Sequence, residues 1–367
     1  QRVEVEPEPD NVAHIAYTSG PTLRPRGVML THGRLVQAAE ISASGFQQTD
    51  RDIVMLFAMP MHHAVGLVVI LLTSVSRSSS VIMLPGLSID GLIEATRKEK
   101  ATIFMGVPFT HALIVKKAEE EGIRIDLSSL RICASAGAPL PEDIIERFER
   151  YLGLRLIQFY GLTEGTAHVT CQALNGIGKL GSVGKALPGW ELKIVDDSGQ
   201  ELPSNRPGEI IIKGPIMNGY YNNPQATAEA IRHGWLYTGD IGRIDADGCL
   251  FILGLKREMI ISKGQNIYPS DIEEVLSSHP AVAEVAVVGI PDRVRGEVVA
   301  VAISLKEGVK ATEREIKKFC LERIANYKVP KQVIFLDSLP KSGDGKMNKQ
   351  GLKGYLSAAK AAERGNT

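Results

Sequence analysis

Three short runs carry side chains that could do chemistry, and they lie in a fixed order along the chain. The runs are Tyr160–Glu164 (YGLTE), Tyr237–Asp240 (YTGD) and Pro340–Lys346 (PKSGDGK). Glu164 supplies a carboxylate that could hold a divalent metal ion, and Asp240 supplies one that could accept hydrogen bonds from two hydroxyls. Lys346 supplies a cation that could offset charge between two anions. Together, these groups could serve a reaction of a carboxylic acid with ATP.

A turn rich in glycine, serine and threonine, Thr18–Gly27, is predicted between a strand and a helix. Its backbone N–H groups could surround phosphate oxygens, helped by Arg26 and by the N-terminus of the helix. The chain contains no GxxxxGK[ST] pattern, so the turn is not a Walker A loop. Taken alone, such a turn is more often an ordinary strand–helix connection than a phosphate site.

The composition is that of a globular protein with a full core. The chain has 367 residues, 44% hydrophobic and 23% charged, which predicts more than one domain. Lys+Arg and Asp+Glu both total 42, so no net charge favours nucleic acid or an anionic membrane. The four cysteines are far apart, which argues against a zinc site or disulfide framework and predicts a reducing compartment. They are Cys133, Cys171, Cys249 and Cys320.

Neither the start of the chain nor its longest apolar run predicts a targeting or membrane segment. Residues 1–10 (QRVEVEPEPD) have no apolar core of a signal peptide and do not begin with Met, which suggests a fragment or a processed start. Ala64–Val75 is shorter than the ~20 residues that span a bilayer and predicts a buried helix. We expect a cytoplasmic protein without a transmembrane segment.

Strand and helix patterns alternate in the first half of the chain, which predicts a parallel sheet with helices on its faces. Thr31 is predicted to cap a helix that begins at His32. Further helices are predicted at 64–74, 89–98 and 141–151, and strands at 12–19, 52–58, 81–84, 102–107, 130–134 and 156–159.

The second half predicts a β-rich subdomain at about 181–253, followed by a compact α+β domain. Its predicted strands lie at 191–195, 209–213 and 249–252. Beyond it, strands are predicted at 259–262, 282–289, 298–305 and 332–335, and helices at 269–277 and 313–323. The predicted fold is therefore α/β, with a large domain at 1–256 and a small, mobile α+β domain at 257–367.

From Val12 to Leu352 the chain resembles the adenylate-forming superfamily of acyl-CoA synthetases, nonribosomal adenylation domains and luciferases. The family's phosphate loop reads YTSGTTGxPKG, and Tyr17–Gly27 (YTSGPTLRPRG) matches its frame with Pro21, Leu23 and Arg26 as departures. Pro21 removes a hydroxyl and an N–H, Leu23 adds bulk near the phosphates, and Arg26 keeps the charge of lysine with another geometry. The family's N-terminal portion, which normally precedes this loop, is expected to be missing.

The resemblance implies a set of nucleotide-binding residues in which the phosphate loop, adenine segment and ribose carboxylate each take part. They are Thr18, Ser19, Gly20, Thr22, Arg26, Gly137, Ala138, Pro139, Tyr160, Gly161, Asp240 and Ile252. It also implies that Glu164 holds Mg²⁺, that Thr163 contacts the α-phosphate, and that Lys346 bridges the substrate carboxylate and the α-phosphate. His63 aligns with a gate-like residue of the acyl pocket.

Two segments after residue 250 resemble moving parts of the family. Lys263, Gly264 and Gln265 match the segment that enters the site for thioester formation, and Arg257 matches the hinge pivot. Leu255 stands where an arginine that touches the ribose is usual, which is a fourth departure. An exposed linker charge explains Arg257 equally well.

The resemblance implies a Mg²⁺-dependent ligase that forms an acyl-adenylate from a carboxylic acid and ATP, then a thioester with CoA. No Asp or Glu occurs between Asp52 and Asp90, where amino-acid-activating relatives carry an Asp, so a fatty or aromatic acid is expected. A degenerate nucleotide-binding homologue without catalysis, another acceptor such as a carrier-protein thiol, and luciferase-type chemistry remain alternatives. A homodimer is also possible, and no nucleic-acid partner is expected.

Overall fold

The computed structural model describes residues 6–18, 25–56, 59–84, 86, 88–138, 140–175, 178–262, 265–292, 295–341 and 347–356. It divides into two compact units. The first unit comprises residues 1–238 and 242–252, and the second comprises residues 239–241 and 253–367. The boundary predicted at residues 256 and 257 lies near this division but stays a prediction.

Both units contain helices and strands. The helices are α1 His32–Gly45, α2 Thr73–Ser76, α3 Ile89–Glu99, α4 Pro108–Glu121, α5 Glu142–Leu152, α6 Pro224–Ala230, α7 Pro269–Ser277 and α8 Glu313–Leu321. The strands up to residue 200 are β1 Val12–Thr18, β2 Arg26–Thr31, β3 Ile53–Leu56, β4 Ser80–Met83, β5 Ile103–Gly106, β6 Ile132–Ser135, β7 Leu156–Tyr160, β8 Thr170–Cys171, β9 Lys185–Ala186 and β10 Glu191–Val195. The later strands are β11 Gly208–Lys213, β12 Gly219–Tyr220, β13 Ile231–Arg232, β14 Trp235–Ile244, β15 Leu250–Leu255, β16 Ile260–Ser262, β17 Gln265–Ile267, β18 Val282–Asp292, β19 Gly296–Leu305 and β20 Gln332–Phe335.

A seven-stranded sheet in the order β4-β3-β5-β6-β7-β8-β9 forms the centre of the first unit. The strands β4, β3, β5, β6 and β7 run parallel, and β8 and β9 are antiparallel additions. Alternate residues of β5 enter two separate cores, Ile103 and Met105 on one side and Phe104 on the other. Successive side chains of a strand face opposite sides, so both faces of the sheet are buried. The predicted α/β fold is confirmed.

The helix predicted at 64–74 begins as a π-helix rather than an α-helix. Val65–Leu72 is π-helical, and α2 continues from Thr73. At Gly66 a Cβ atom would lie 2.3 Å from the carbonyl oxygen of Pro60, so the chain can pass this point only with glycine. An unbroken apolar run has no periodicity that separates the two helix types.

The predicted helix at His32 is confirmed, and Thr31 caps it by accepting a hydrogen bond from the N–H of Arg34. The connection before it differs from the prediction. The segment between Thr18 and Arg26 joins two antiparallel strands, β1 and β2, and the helix begins only after β2. The prediction that a helix N-terminus adjoins this turn is therefore wrong.

A second, five-stranded sheet follows the order β10-β11-β14-β13, with β15 against β14. The strand β10 has the predicted bounds, and β11 begins one residue early. The ten-residue strand β14 was not predicted, because its Gly-Asp pair suggests a turn. Gly239 adopts a φ of +73° within this strand, a conformation that glycine allows at no steric cost.

The second unit is α+β, with a sheet in the order β17-β16-β19-β18 and β20 beside β19. Helix α7 and strand β20 have the predicted bounds. Two cores, one with Ile272 and Val301 and one with Ala300 and Leu352, fill this unit. Among the described residues of both units, no helix is long and apolar enough to cross a membrane.

Candidate nucleotide and acid-activation site

The carboxyl ends of two neighbouring parallel strands place the predicted adenine and metal segments side by side. Strands β6 and β7 pair from Cys133–Leu156 to Ser135–Gln158. Gly137 and Ala138 follow β6 and are exposed, with Gly137 at a φ of +85°. Tyr160 ends β7 and leads into Gly161. Ligands bind at such carboxyl ends in open α/β sheets.

The turn after β7 is held in shape by the backbone. Thr163–Gly165 forms a single 3-10 turn, and the N–H of Ala167 donates to the carbonyl of Leu162. A Cβ atom at Gly161 would lie 2.0 Å from the carbonyl oxygen of Ala167, so only glycine permits the chain to fold back here. This requirement explains why glycine precedes the residues that present Thr163 and Glu164.

A tyrosine that sequence reasoning missed connects Glu164 to Arg26. The hydroxyl of Tyr220 donates a hydrogen bond to Glu164 Oε1 at 3.0 Å. The guanidinium carbon of Arg26 lies 5.2 Å from the centre of the Tyr220 ring. Tyr220 is buried on β12, which pairs with β2 next to Arg26. Glu164 and Tyr220 are 56 positions apart, and no motif signals their contact.

The surroundings of Tyr220 keep its hydroxyl protonated. Burial raises its pKa first, and the nearby Glu164 carboxylate raises it further, while Arg26 acts in the opposite direction. A protonated phenol donates a hydrogen bond to a carboxylate, so Tyr220 fixes one oxygen of Glu164 in place. The result is one oriented carboxylate and one cation beside the predicted phosphate loop.

The phosphate loop is described only at its two ends. Thr18 pairs directly with Arg26 across the β1–β2 hairpin, so both predicted residues lie where the connecting loop leaves and rejoins the two strands. Ser19, Gly20 and Thr22 lie outside the described residues, as does Pro139 of the adenine segment.

Asp240 and Ile252 lie on adjacent strands, β14 and β15. Asp240 is half-buried and follows the positive φ of Gly239. Thr238, two positions earlier, donates from its hydroxyl to the carbonyl of Ile210 at 2.8 Å, which anchors this part of β14. Ile252 is half-buried and packs against the main core of the first unit.

His63 lies after the carboxyl end of β3, on the same edge of the sheet as Tyr160. Its side chain is exposed, and its carbonyl accepts from the N–H of Leu67 at the start of the π-helix. The helix beyond it is apolar, with Val65, Val68 and Val69 buried. The predicted role of His63 at an acyl pocket stays a prediction.

In the second unit, Gln265 is exposed on β17, and Arg257 is exposed in the 3-10 turn Lys256–Glu258. Lys263, Gly264 and Lys346 lie outside the described residues. The predicted roles of these five residues stay predictions.

The described residues fit a metal ion that takes few protein ligands. Nowhere in the described ranges do three His, Cys, Asp or Glu side chains cluster around a possible ion. Glu164 offers one oriented carboxylate on a half-buried turn. Mg²⁺ is commonly bound through one or two carboxylates together with substrate phosphates and water, and this donor set suits that arrangement.

The parallel sheet buried on both faces, the glycine-dependent turn after β7 and the α+β second unit define a two-unit α/β protein. Residues 1–221 match the family described as AMP-binding enzyme, and residues 271–346 match its AMP-binding enzyme C-terminal domain. The chain belongs to this family of adenylate-forming enzymes.

Three similar proteins illustrate the relationship. A long-chain-fatty-acid–CoA ligase of Bacillus subtilis is 36% identical over 94% of this chain and 61% of its own length. A 2-succinylbenzoate–CoA ligase of Bacillus cereus is 38% identical over 92% of this chain and 69% of its own length. The structure of ATP-bound MatB from Rhodopseudomonas palustris has a TM-score of 0.89 and 32% identity, covering 96% of this chain and 70% of that one. The chain thus spans about three fifths of the fatty-acid ligase.

Proposed function

We propose that the protein containing this chain activates a carboxylic acid with ATP and transfers the acyl group to CoA. In the first step, a carboxylate oxygen attacks the α-phosphorus of ATP, the bond to pyrophosphate breaks, and an acyl-adenylate forms. In the second, the CoA thiolate attacks the acyl carbon, and AMP leaves with the electron pair of the broken C–O bond. AMP is a far better leaving group than oxide.

The observation that supports this proposal is the contact of Tyr220 with Glu164 beside Arg26. It provides an oriented carboxylate just after the carboxyl end of β7 and a cation on the neighbouring strand pair β2–β12, in a chain of the AMP-binding enzyme family. Two of the similar proteins named above are CoA ligases, and one similar structure contains ATP. A neutral hydroxyl and a fixed carboxylate cost little reorganisation during reaction.

The proposal gives the following roles to nine of the candidate residues. Arg26 and Thr18 bind phosphate oxygens, Gly137, Ala138 and Tyr160 border the adenine, and Asp240 accepts from the ribose hydroxyls. Bound Mg²⁺, held by Glu164, would neutralise phosphate charge. Thr163 orients the α-phosphate, and Lys346 offsets the charge of the two anions that approach each other.

The substrate in this proposal has an apolar body and no α-amine. The exposed His63 precedes the apolar π-helix, and no acidic residue lies between Asp52 and Asp90 to pair with an amine. Fatty and aromatic acids are the classes that fit, and both occur among the substrates in the names of the similar ligases. CoA is the proposed acceptor.

Acid-dependent exchange of pyrophosphate into ATP tests the first step without CoA. The protein is supplied with Mg²⁺, ATP, labelled pyrophosphate and short, medium, long-chain or aromatic acids. Exchange with one class supports the proposal and identifies the substrate, and Glu164→Gln is expected to abolish that exchange. Absence of exchange with every acid contradicts the proposal.

A nucleotide-binding homologue without catalysis is the second candidate, favoured by Pro21, Leu23 and Leu255 at positions where the family resemblance implies nucleotide contacts. It would bind AMP in calorimetry but give no exchange. Pro21→Thr combined with Leu23→Gly would then restore exchange if the altered loop is the cause. A homodimer and the cytoplasmic location remain predictions.

A further inference from the structure

A lysine of the second unit is enclosed by two carboxylates. Lys349 Nζ lies 2.8 Å from Glu273 Oε1 and 3.3 Å from Glu258 Oε2, and its side chain is 20% exposed. Burial alone lowers the pKa of a lysine, but Glu273 and Glu258 outweigh it, and the pKa of Lys349 is raised. The side chain is therefore charged in a place where an unpaired charge would be costly.

The two carboxylates come from different parts of the second unit. Glu258 ends the 3-10 turn Lys256–Glu258, just beyond the start of this unit at Leu253. Glu273 belongs to α7 and also accepts from the N–H of Val287 on β18 at 2.8 Å. Lys349 opens a helical segment, residues 349–356, which Asn348 caps through its contact with the N–H of Gly351. One ammonium group thus joins the turn, α7 and the last described helix.

Lys349 stands three positions after Lys346. Residues 342–346 lie outside the described chain, but the residues on both sides of them are fixed. Lys341 and Met347 form an isolated antiparallel bridge, and the N–H of Asn348 donates to the carbonyl of Pro340 at 2.9 Å. Lys341 also pairs with Glu284 at 2.6 Å. The residues on both sides of the segment 342–346 are therefore held together by hydrogen bonds, and Lys341 is also held by an ion pair; we call these flanking residues the base of the segment.

We propose that Lys349 is a positioning residue that fixes the turn Lys256–Glu258 to the base of the segment carrying Lys346. The functional part of this proposal rests on the proposed function, which assigns Lys346 to the adenylation step. The turn contains Arg257, the predicted hinge pivot. Through Lys349, the position of that turn would then be tied to Met347 and Asn348 at the base of the segment.

If Lys349 only stabilised the second unit, its loss would affect the two half-reactions differently from the loss of a positioning residue. Loss of general stability would reduce both half-reactions together, whereas loss of this anchor would reduce only the half-reaction that uses Lys346. Glu258→Gln separates the two cases, because it removes one charge and leaves the pair of Lys349 with Glu273 intact. Glu313→Gln is the matched control, since Glu313 pairs with Lys317 on the surface of α8 in the same unit.

The first measurement is backbone hydrogen exchange at residues 347–352, which needs no activity. Glu258→Gln is expected to speed exchange there by about ten-fold relative to the unchanged protein, consistent with the loss of one charge-assisted contact, whereas Glu313→Gln leaves it unchanged. Equal exchange in the two variants overturns the anchor, whatever the activity.

The second measurement compares the half-reactions. Glu258→Gln is expected to slow acid-dependent ATP–pyrophosphate exchange by about ten-fold, while thioester formation from a supplied acyl-adenylate and CoA changes by less than about two-fold. Lys349→Arg, which can reach both carboxylates, is expected to retain more exchange activity than Lys349→Met. An equal loss in both half-reactions overturns the positioning role. If the unchanged protein shows no exchange with any acid, the proposed function fails, and hydrogen exchange alone decides the anchor.

Discussion

Tyr220 and Tyr221 are neighbours in sequence but have different surroundings. Tyr220 is buried and donates to Glu164, whereas the side chain of Tyr221 is 48% exposed. A residue that orients a metal-binding carboxylate commonly contributes 10–100-fold to metal affinity or activity. Among single residues, Tyr220 is therefore the one that the structure adds most clearly to the candidate site.

Tyr220→Phe removes one hydroxyl and should leave the packing of the ring unchanged. Glu164 then loses a fixed donor, so we expect the Mg²⁺ concentration for half-maximal ATP–pyrophosphate exchange to rise by about ten-fold. Calorimetry of Mg·ATP binding should show a parallel loss of affinity. Tyr221→Phe is the matched control and should change neither quantity. Equal behaviour of the two variants would contradict the role of Tyr220.

Elements with local signals could be predicted from the sequence, and elements set by distant contacts could not. Thr31 marks the start of α1, and Pro269 marks that of α7, because caps and first-turn prolines are local features. Helix α4 is an exception, because it was missed although Pro108 in its first turn and Gly122 at its end are local signals. The motif at Glu164 was visible, but its partner on β12 was not, because 56 positions separate the two residues.

The π-helix at Val65–Leu72 gives a prediction at the scale of an element. Gly66→Ala places a methyl group against the backbone of Pro60, so we expect the free energy of unfolding of the first unit to fall by about 1–3 kcal/mol. Both tryptophans, Trp190 and Trp235, lie in this unit, so urea unfolding followed by tryptophan fluorescence measures it separately.

Gly354→Ala is the control for this substitution. Gly354 lies in the helical segment 349–356 of the second unit, and beyond its chain neighbours and the backbone of that helix no described atom lies within 4 Å of an added methyl group. Alanine favours a helix over glycine by about 1 kcal/mol, so amide exchange in this segment should slow while the tryptophan transition stays unchanged. A Gly66→Ala transition equal to that of the unchanged protein would refute the steric argument.

Across the first unit as a whole, two buried histidines connect stability to pH. Burial lowers the pKa of His111 to about 4 and that of His168 to about 3. His111 lies against Phe104 and Phe148 and contacts the carbonyl of Ala134. His168 lies against Phe46 and Phe159, and its Nδ1 contacts the hydroxyl of Ser42. Neither ring faces a charged group among these contacts, so each is neutral in the folded protein.

The sign of the effect follows from the lowered pKa values. Between pH 6.5 and about 4 the unfolded chain binds more protons than the folded one, so the free energy of unfolding falls as the pH falls. From pH 7.5 to 5.5 we expect a loss on the order of 1 kcal/mol for each histidine, or roughly 2–3 kcal/mol together. Asp52 contributes only at lower pH: burial raises its pKa, but hydrogen bonds from Arg131, Thr102 and Thr49 lower it to about 2 overall.

His168→Phe separates this linkage from any change in packing. The variant loses the contact with Ser42, so its stability at pH 7.5 can differ from that of the unchanged protein. The loss between pH 7.5 and 5.5 should nevertheless shrink by about half, because one of the two titrating groups is gone. Urea unfolding at the two pH values, followed by tryptophan fluorescence, measures that difference directly. If the loss of stability between the two pH values is the same in the variant, His168 takes up no proton when the first unit unfolds.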